Sequence, residues 1–225
     1  MKRFFTLLMV ALVCFGASAQ IAQEAYNKWH QNKFSMFIHF GLYSAYGGVY
    51  NGKPVTFGYS EQIQSFAGIF SDWYADTALQ FDPVKFNADE IVSLAKAAGM
   101  RSIVITTKHH DGFCMFNTAT TEYNSVNATP SKRDYVKELS DACRRGGINF
   151  AMYYSLIDWN FPHAYPISSH NCDFITPQHH EFSKAQITEL LTNYGPVSEL
   201  WFDMGSNQPE QSKELYELVH KLQPD

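Results

Sequence analysis

Asp203 closes the segment Glu199-Leu200-Trp201-Phe202-Asp203-Met204-Gly205, where an otherwise apolar run delivers a single carboxylate. That placement suits the nucleophile of a glycosidase. Such chemistry needs an ionised carboxylate beneath an anomeric carbon, with a second carboxyl group ~5–5.5 Å away if configuration is retained. An aspartate that caps the next helix or closes a turn fits the same segment equally well. His109-His110-Asp111 is a second cluster of reactive types. Zinc is one possible target of histidine and carboxylate, but neighbours on a strand point to opposite faces and no His-x-His or His-Glu-x-x-His spacing occurs. Hydrogen bonding to sugar hydroxyls asks less of the geometry.

Several further groups carry two readings each. His39 follows Met36-Phe37-Ile38 and is either a satisfied core histidine or the first polar group of a pocket floor. Tyr153 and Tyr154 alternate in direction, so one faces a pocket and the other packs against helices. Trp201 is a sugar-stacking platform or a core aromatic. His179-His180 opens a helical segment, where polar residues usually face solvent, and takes no role. Asn127-Ala128-Thr129 is a weak glycosylation pattern. Cys14 falls in the apolar leader, and Cys114, Cys143 and Cys172 match no zinc spacing and read as small buried hydrophobes.

Four apolar runs are positioned to present these residues: Phe34 to Phe40, Ser102 to Thr107, Ile148 to Tyr154 and Val197 to Asp203. Each is followed by apolar residues at helical spacing, as in Ile91, Leu94, Ala95 and Ala98, or Tyr135, Val136, Leu139, Ala142 and Cys143. Asn87 supplies an N-cap, Glu90 lies three residues on, and Gly99 marks the stop. Alternating strands and helices imply parallel strands with right-handed crossovers, hence an α/β fold. No glycine-rich phosphate loop follows a strand, which disfavours a dinucleotide-binding sheet. All four strands end on functional residue types, as expected for a (β/α)8 TIM-type barrel whose site lies at the strands' C-terminal tips. Residues 41–86, with little periodicity, read as a loop that shapes a pocket, and Asp158 to Pro177 as a second irregular stretch.

Lys2 and Arg3, the apolar run Phe4 to Phe15 and Ala17-Ser18-Ala19 together read as a secretory signal over residues 1–19, giving an exported, periplasmic or secreted protein. The run falls short of a membrane span. The formal net charge of −5 gives no basic footprint for nucleic acid. A chain that is 45% hydrophobic and 16% aromatic builds a globular core, and the surplus aromatics suit sugar binding.

The strings Phe37-Ile38-His39-Phe40-Gly41, Thr107-Lys108-His109-His110-Asp111-Gly112-Phe113, Tyr153-Tyr154-Ser155 with Asp158-Trp159, and Leu200-Trp201-Phe202-Asp203 resemble glycoside hydrolase family 29, the α-L-fucosidases. The resemblance runs in order from about Trp29 to Asp225. It implies a retaining exo-enzyme that removes terminal α-L-fucose from fucosylated glycans, with Asp203 as nucleophile. It also implies a fucose subsite lined by His39, Glu61, His109, His110, Tyr154 or its neighbour Tyr153, and Trp201. No metal or organic cofactor is implied, and the oligomeric state is left open. Glu61-Gln62 stands where the family commonly shows Glu-Trp, which removes a stacking partner there; Asp72-Trp73-Tyr74 fits a helix leading into Asn87 better than a substitute for it. Residues 20–225 then correspond to the first four β/α units, ending before the family's acid/base carboxylate and its C-terminal β-sandwich, so alone they are expected to show negligible turnover. The competing readings are a glycan-binding or degenerate glycosidase module, and a zinc hydrolase built on His109, His110 and Asp111.

Overall fold

The computed structural model describes residues 23–165, 167 and 173–224. The signal-peptide reading of residues 1–19, Cys14 and Cys172 lie outside them. The described residues open with a helix over residues 23–30 (α1), followed by strand β1 (Ser35–Ile38). Next come short helix α2 (Tyr43–Tyr46), hairpin strands β2 (Val49–Tyr50) and β3 (Lys53–Pro54), and short helices α3 (Ile63–Phe66) and α4 (Ser71–Ala75). Longer elements then alternate: α5 (Ala88–Ala97), β4 (Ser102–Lys108), α6 (Tyr135–Gly146), β5 (Asn149–Ser155), α7 (Pro177–Asn193), β6 (Leu200–Asp203) and α8 (Pro209–Leu222). The 41–86 stretch thus holds local structure that the sequence did not reveal. Its elements are two to five residues long, too short for a 2.0 or 3.6 period to repeat.

Polar side chains set the helix starts. Asn87 Oδ1 accepts from the backbone N–H of Glu90 at 3.2 Å, Asp134 Oδ1 from Lys137 at 2.8 Å and Thr176 Oγ1 from His179 at 3.1 Å. Pro177 and Pro209 occupy first-turn positions, where the missing N–H costs nothing.

The main sheet is wholly parallel, in the order β1-β4-β5-β6, so each strand pairs with the parallel strand before it in the chain. β4 is buried along its full length, as expected for a central parallel strand covered on both faces. One face packs Ile103, Ile105, Phe150 and Met152 against Leu139 and Cys143 of α6 and Ile187 and Leu190 of α7. The other carries a separate small cluster of Val104, Ala151 and Tyr153. Flanking it are Phe37 and Trp201, 38% and 41% exposed, with Trp201 5.0 Å from Phe37 and 5.4 Å from Tyr153 between ring centroids. This second, less covered face leads upward into the functional residues. No helix among the described residues is long and apolar enough to cross a membrane.

The expectation that His179 and His180 face solvent is corrected: both are buried, at 1% and 5% exposure. The first turn of α7 packs inward, with His179 against Phe161 at 5.7 Å and His180 Nε2 3.1 Å from Glu214 Oε2 on α8.

Candidate functional site

β5 and β6 pair in register, with Tyr153 opposite Trp201 and Ser155 opposite Asp203. Residues two apart on a strand share a face, so Tyr153, Ser155, Trp201 and Asp203 all project to the same side. Tyr153 Oη donates to Asp203 Oδ2 at 2.5 Å, and His110 Nε2 lies 4.0 Å from the same oxygen. The His109 ring lies nearly parallel to that of Tyr153, 5.5 Å away at 11°. His39 completes the group, 5.7 Å from His109 and 6.0 Å from Tyr153, with Phe37 4.5 Å behind it. Five residues expected from the sequence, Asp203, His39, His109, His110 and Trp201, therefore converge where the parallel strands end.

The two adjacent histidines face one way because strand alternation has ceased by the time they occur. Pairing between β4 and β5 slips between Thr106 and Lys108, the strand ends at Lys108, and Gly112 N–H closes a turn onto His109 O at 3.1 Å. The rings consequently lie 4.1 Å apart. Asp111 turns away from them: its carboxylate accepts from Tyr74 Oη at 2.7 Å and from the Phe113 N–H at 3.1 Å. The three residues do not converge on one ion. Among the described residues, His180, Glu181 and Glu214 do come together in a ligand-like pattern. Lys184 Nζ already bridges those two carboxylates at 2.6 and 2.8 Å.

Tyr154 is a correction. Being one residue out of phase with Tyr153, it faces the helices, where its hydroxyl donates to Gln186 Oε1 at 2.7 Å and its ring lies 4.7 Å from Lys108 Nζ. The pocket-facing member is Tyr153; sequence could not choose between them because the register to β6 was unknown. Glu61 sits on the turn Ser60–Gln62, near enough to Tyr43 for its charge to be felt there. Tyr43 itself was missed: it lies edge-on to His109 at 5.2 Å and hydrogen-bonds Thr106 Oγ1 at 3.0 Å. Thr106 in turn holds both the N–H and the carbonyl of Phe40, fixing the end of β1. Trp73 is exposed on α4 against Phe70, 5.1 Å away.

Behind the cluster, Lys108 is fully buried and pairs with Asp158 at 3.2 Å while also donating to Ile157 O. Burial is the largest single influence and disfavours its charge, but Asp158, Tyr154 and Cys114 together more than offset it and move its pKa upward. Asp158 Oδ1 accepts from the N–H groups of Asn160 and Phe161, so the pair ties the end of β4 to the loop after β5. Gly112 stands at φ 77°, and a Cβ there would overlap Asp158 Oδ1. Gly112→Ala is therefore expected to destabilise the fold by about 2–3 kcal/mol through backbone strain and displacement of the pair, read as a lower urea midpoint.

Burial lowers the pKa of His109 well below the usual range, that of His110 to about 3 and that of His179 to about 4. These histidines are neutral at pH 7 and aid hydrogen bonding rather than charge attraction. In the unfolded chain each takes up a proton below about 6.5. Their contribution is fully present above that pH and is lost as pH falls towards the folded values. Asp111, raised to about 6 by burial, opposes them, favouring the fold below about 4 and losing that effect as pH rises through 6. The histidines outnumber it, so urea stability is expected to fall between pH 7 and pH 5, and His179→Gln should flatten the slope.

A carboxylate held by a tyrosine, beside neutral histidines and flanked by aromatics, thus gathers at the ends of parallel strands of an α/β fold. A family profile described as Alpha-L-fucosidase matches residues 16–225. The chain belongs to the α-L-fucosidase family. It is 32% identical to Alpha-L-fucosidase 1 of Arabidopsis thaliana over 206 residues, covering 88% of this chain and 34% of that protein. It is 31% identical to plasma alpha-L-fucosidase of Homo sapiens, covering 80% and 40%. Among solved structures, the α-L-fucosidase AlfC from Lactobacillus casei in complex with α-L-fucose product superposes with TM-score 0.79 at 36% identity, covering 89% of this chain and 68% of that one. The chain spans about a third of the length of the plant relative.

Proposed function

We propose that this chain forms the nucleophile-bearing part of a retaining, exo-acting α-L-fucosidase that releases terminal α-L-fucose from glycans. The observation that carries the reading is Asp203, held by Tyr153 at 2.5 Å beside His110 in a member of this family. Asp203 attacks the anomeric carbon as the glycosidic C–O bond breaks and the aglycone departs as a protonated alcohol. Water then hydrolyses the resulting fucosyl ester, releasing the Asp203 carboxylate and fucose of the original configuration. The Tyr153 hydroxyl orients the carboxylate. Burial, and then the nearby Asp203, keep that phenol protonated by raising its pKa. His39, His109 and His110 bind ring hydroxyls, and Trp201 with Phe37 offers apolar surface to the sugar's 6-methyl group. None of the described partners of Asp203 is a carboxyl group, so the acid/base is left unassigned.

The architecture we propose is the first four units of a (β/α)8 barrel. Strand order without reversal supports it, since doubly wound sheets reverse direction at a switch point. So does the apolar face around Phe37, Val104 and Trp201, which suits a barrel interior. The leader over residues 1–19 supports export. Residues 20–225 form the N-terminal portion of that barrel in this proposal.

The test is hydrolysis of an aryl α-L-fucoside by the intact gene product, followed by proton NMR before mutarotation. α-L-Fucose as the first product supports the reading. β-L-Fucose, or no hydrolysis, contradicts it.

A further inference from the structure

His110 presents two nitrogens in contrasting surroundings. Nδ1 lies 2.7 Å from Ser155 Oγ, and Ser155 Oγ lies 3.0 Å from the carbonyl oxygen of Ile157. Nε2 is buried without a partner, 4.0 Å from Asp203 Oδ2. A serine hydroxyl has one proton to donate. The Ile157 carbonyl can only accept, so the 3.0 Å contact consumes that proton. Ser155 must then accept from His110, which requires the hydrogen on Nδ1. The opposite arrangement, with Ser155 donating to Nδ1, would leave two oxygens facing each other at 3.0 Å without a proton. Ser155 is fully buried on β5 directly opposite Asp203 in the strand register, so solvent does not scramble the choice.

We propose that Ser155 is a positioning residue which locks His110 in the Nδ1–H tautomer and thereby presents Nε2 as an obligate hydrogen-bond acceptor beside Asp203. Two acceptors, Nε2 and Oδ2, then face the same space, and neither can satisfy the other. The group that fits there is a donor, and in the proposed function it is a hydroxyl of the sugar. Such a hydroxyl binds His110 and leaves Asp203 its lone pairs for attack. The tautomer stands on geometry alone; its use by a sugar rests on the proposed function.

Long-range proton–nitrogen correlation on histidine-labelled protein tests this at pH 7, with the His110 signals assigned by their loss in His110→Gln. The expected result is a pyrrole-type Nδ1 and a pyridine-type Nε2. A protonated Nε2 in the unmodified protein overturns the proposal, and this reading needs no folded variant. In Ser155→Ala a second, Nε2-protonated population is expected, whereas an unchanged tautomer would overturn the role of Ser155. Adding L-fucose should shift the Nε2 resonance, and Ser155→Ala should weaken that binding about tenfold, the scale of one lost acceptor. If L-fucose moves no histidine signal while Nε2 is unprotonated, the fucosidase reading fails and the tautomer lock stands. If L-fucose binds but Nε2 carries the proton, the lock fails and the fucosidase reading stands.

Discussion

Asp203→Ala is expected to lower kcat of the intact gene product on the order of 10^4-fold, about 5 kcal/mol of transition-state stabilisation, because a covalent route loses its nucleophile. KM should change little by comparison, since the histidines and aromatics that hold the sugar remain. Folding should survive as well. Asp203 stands at the C-terminal end of β6, its side chain is about one-fifth exposed, and that side chain is held by the Tyr153 hydroxyl. Steady-state kinetics on an aryl fucoside, together with urea unfolding of the same variant, separates the two effects. A loss of stability matching the loss of activity would assign Asp203 a structural role instead.

Lys108→Met carries the largest expected effect on stability. The ammonium lies wholly inside the protein, 3.2 Å from Asp158 and above the ring of Tyr154. Removing it leaves a buried carboxylate unpaired, which costs about 3–5 kcal/mol in comparable pairs. Pairing the change with Asp158→Asn should recover part of the loss, because the asparagine oxygen can still accept from the Asn160 and Phe161 N–H groups without a charge to bury. Urea midpoints of both single variants and the double variant measure the coupling. Additive losses would mean that the two residues contribute independently.

The strands and long helices were legible because their signals are periodic and repeated. Ser102–Lys108 is apolar or β-branched for most of its length, and Asn87 with Glu90 marks the start of α5 by the chemistry of capping. Asp203, His39 and the paired histidines were legible as residues at strand tips, which needs only the strand ends to be right. What sequence could not supply was phase between strands. Tyr153 and Tyr154 differ only by which face they occupy, and that is fixed by pairing of β5 with β6. The shared direction of His109 and His110 depends on the slip after Thr106 and the turn at Gly112, neither of which leaves a hydropathy trace. His179 and His180 were misread for a related reason: a helix start faces solvent only when nothing packs over it, and here Phe161 and α8 do.

Azide rescue tests the central claim most directly. With Asp203 truncated, azide can enter the vacated space and attack the anomeric carbon from the face the carboxylate occupied. The account predicts that added azide restores turnover of an aryl α-L-fucoside by Asp203→Ala and yields β-L-fucosyl azide. Turnover by this variant near that of the unmodified protein without azide would contradict it.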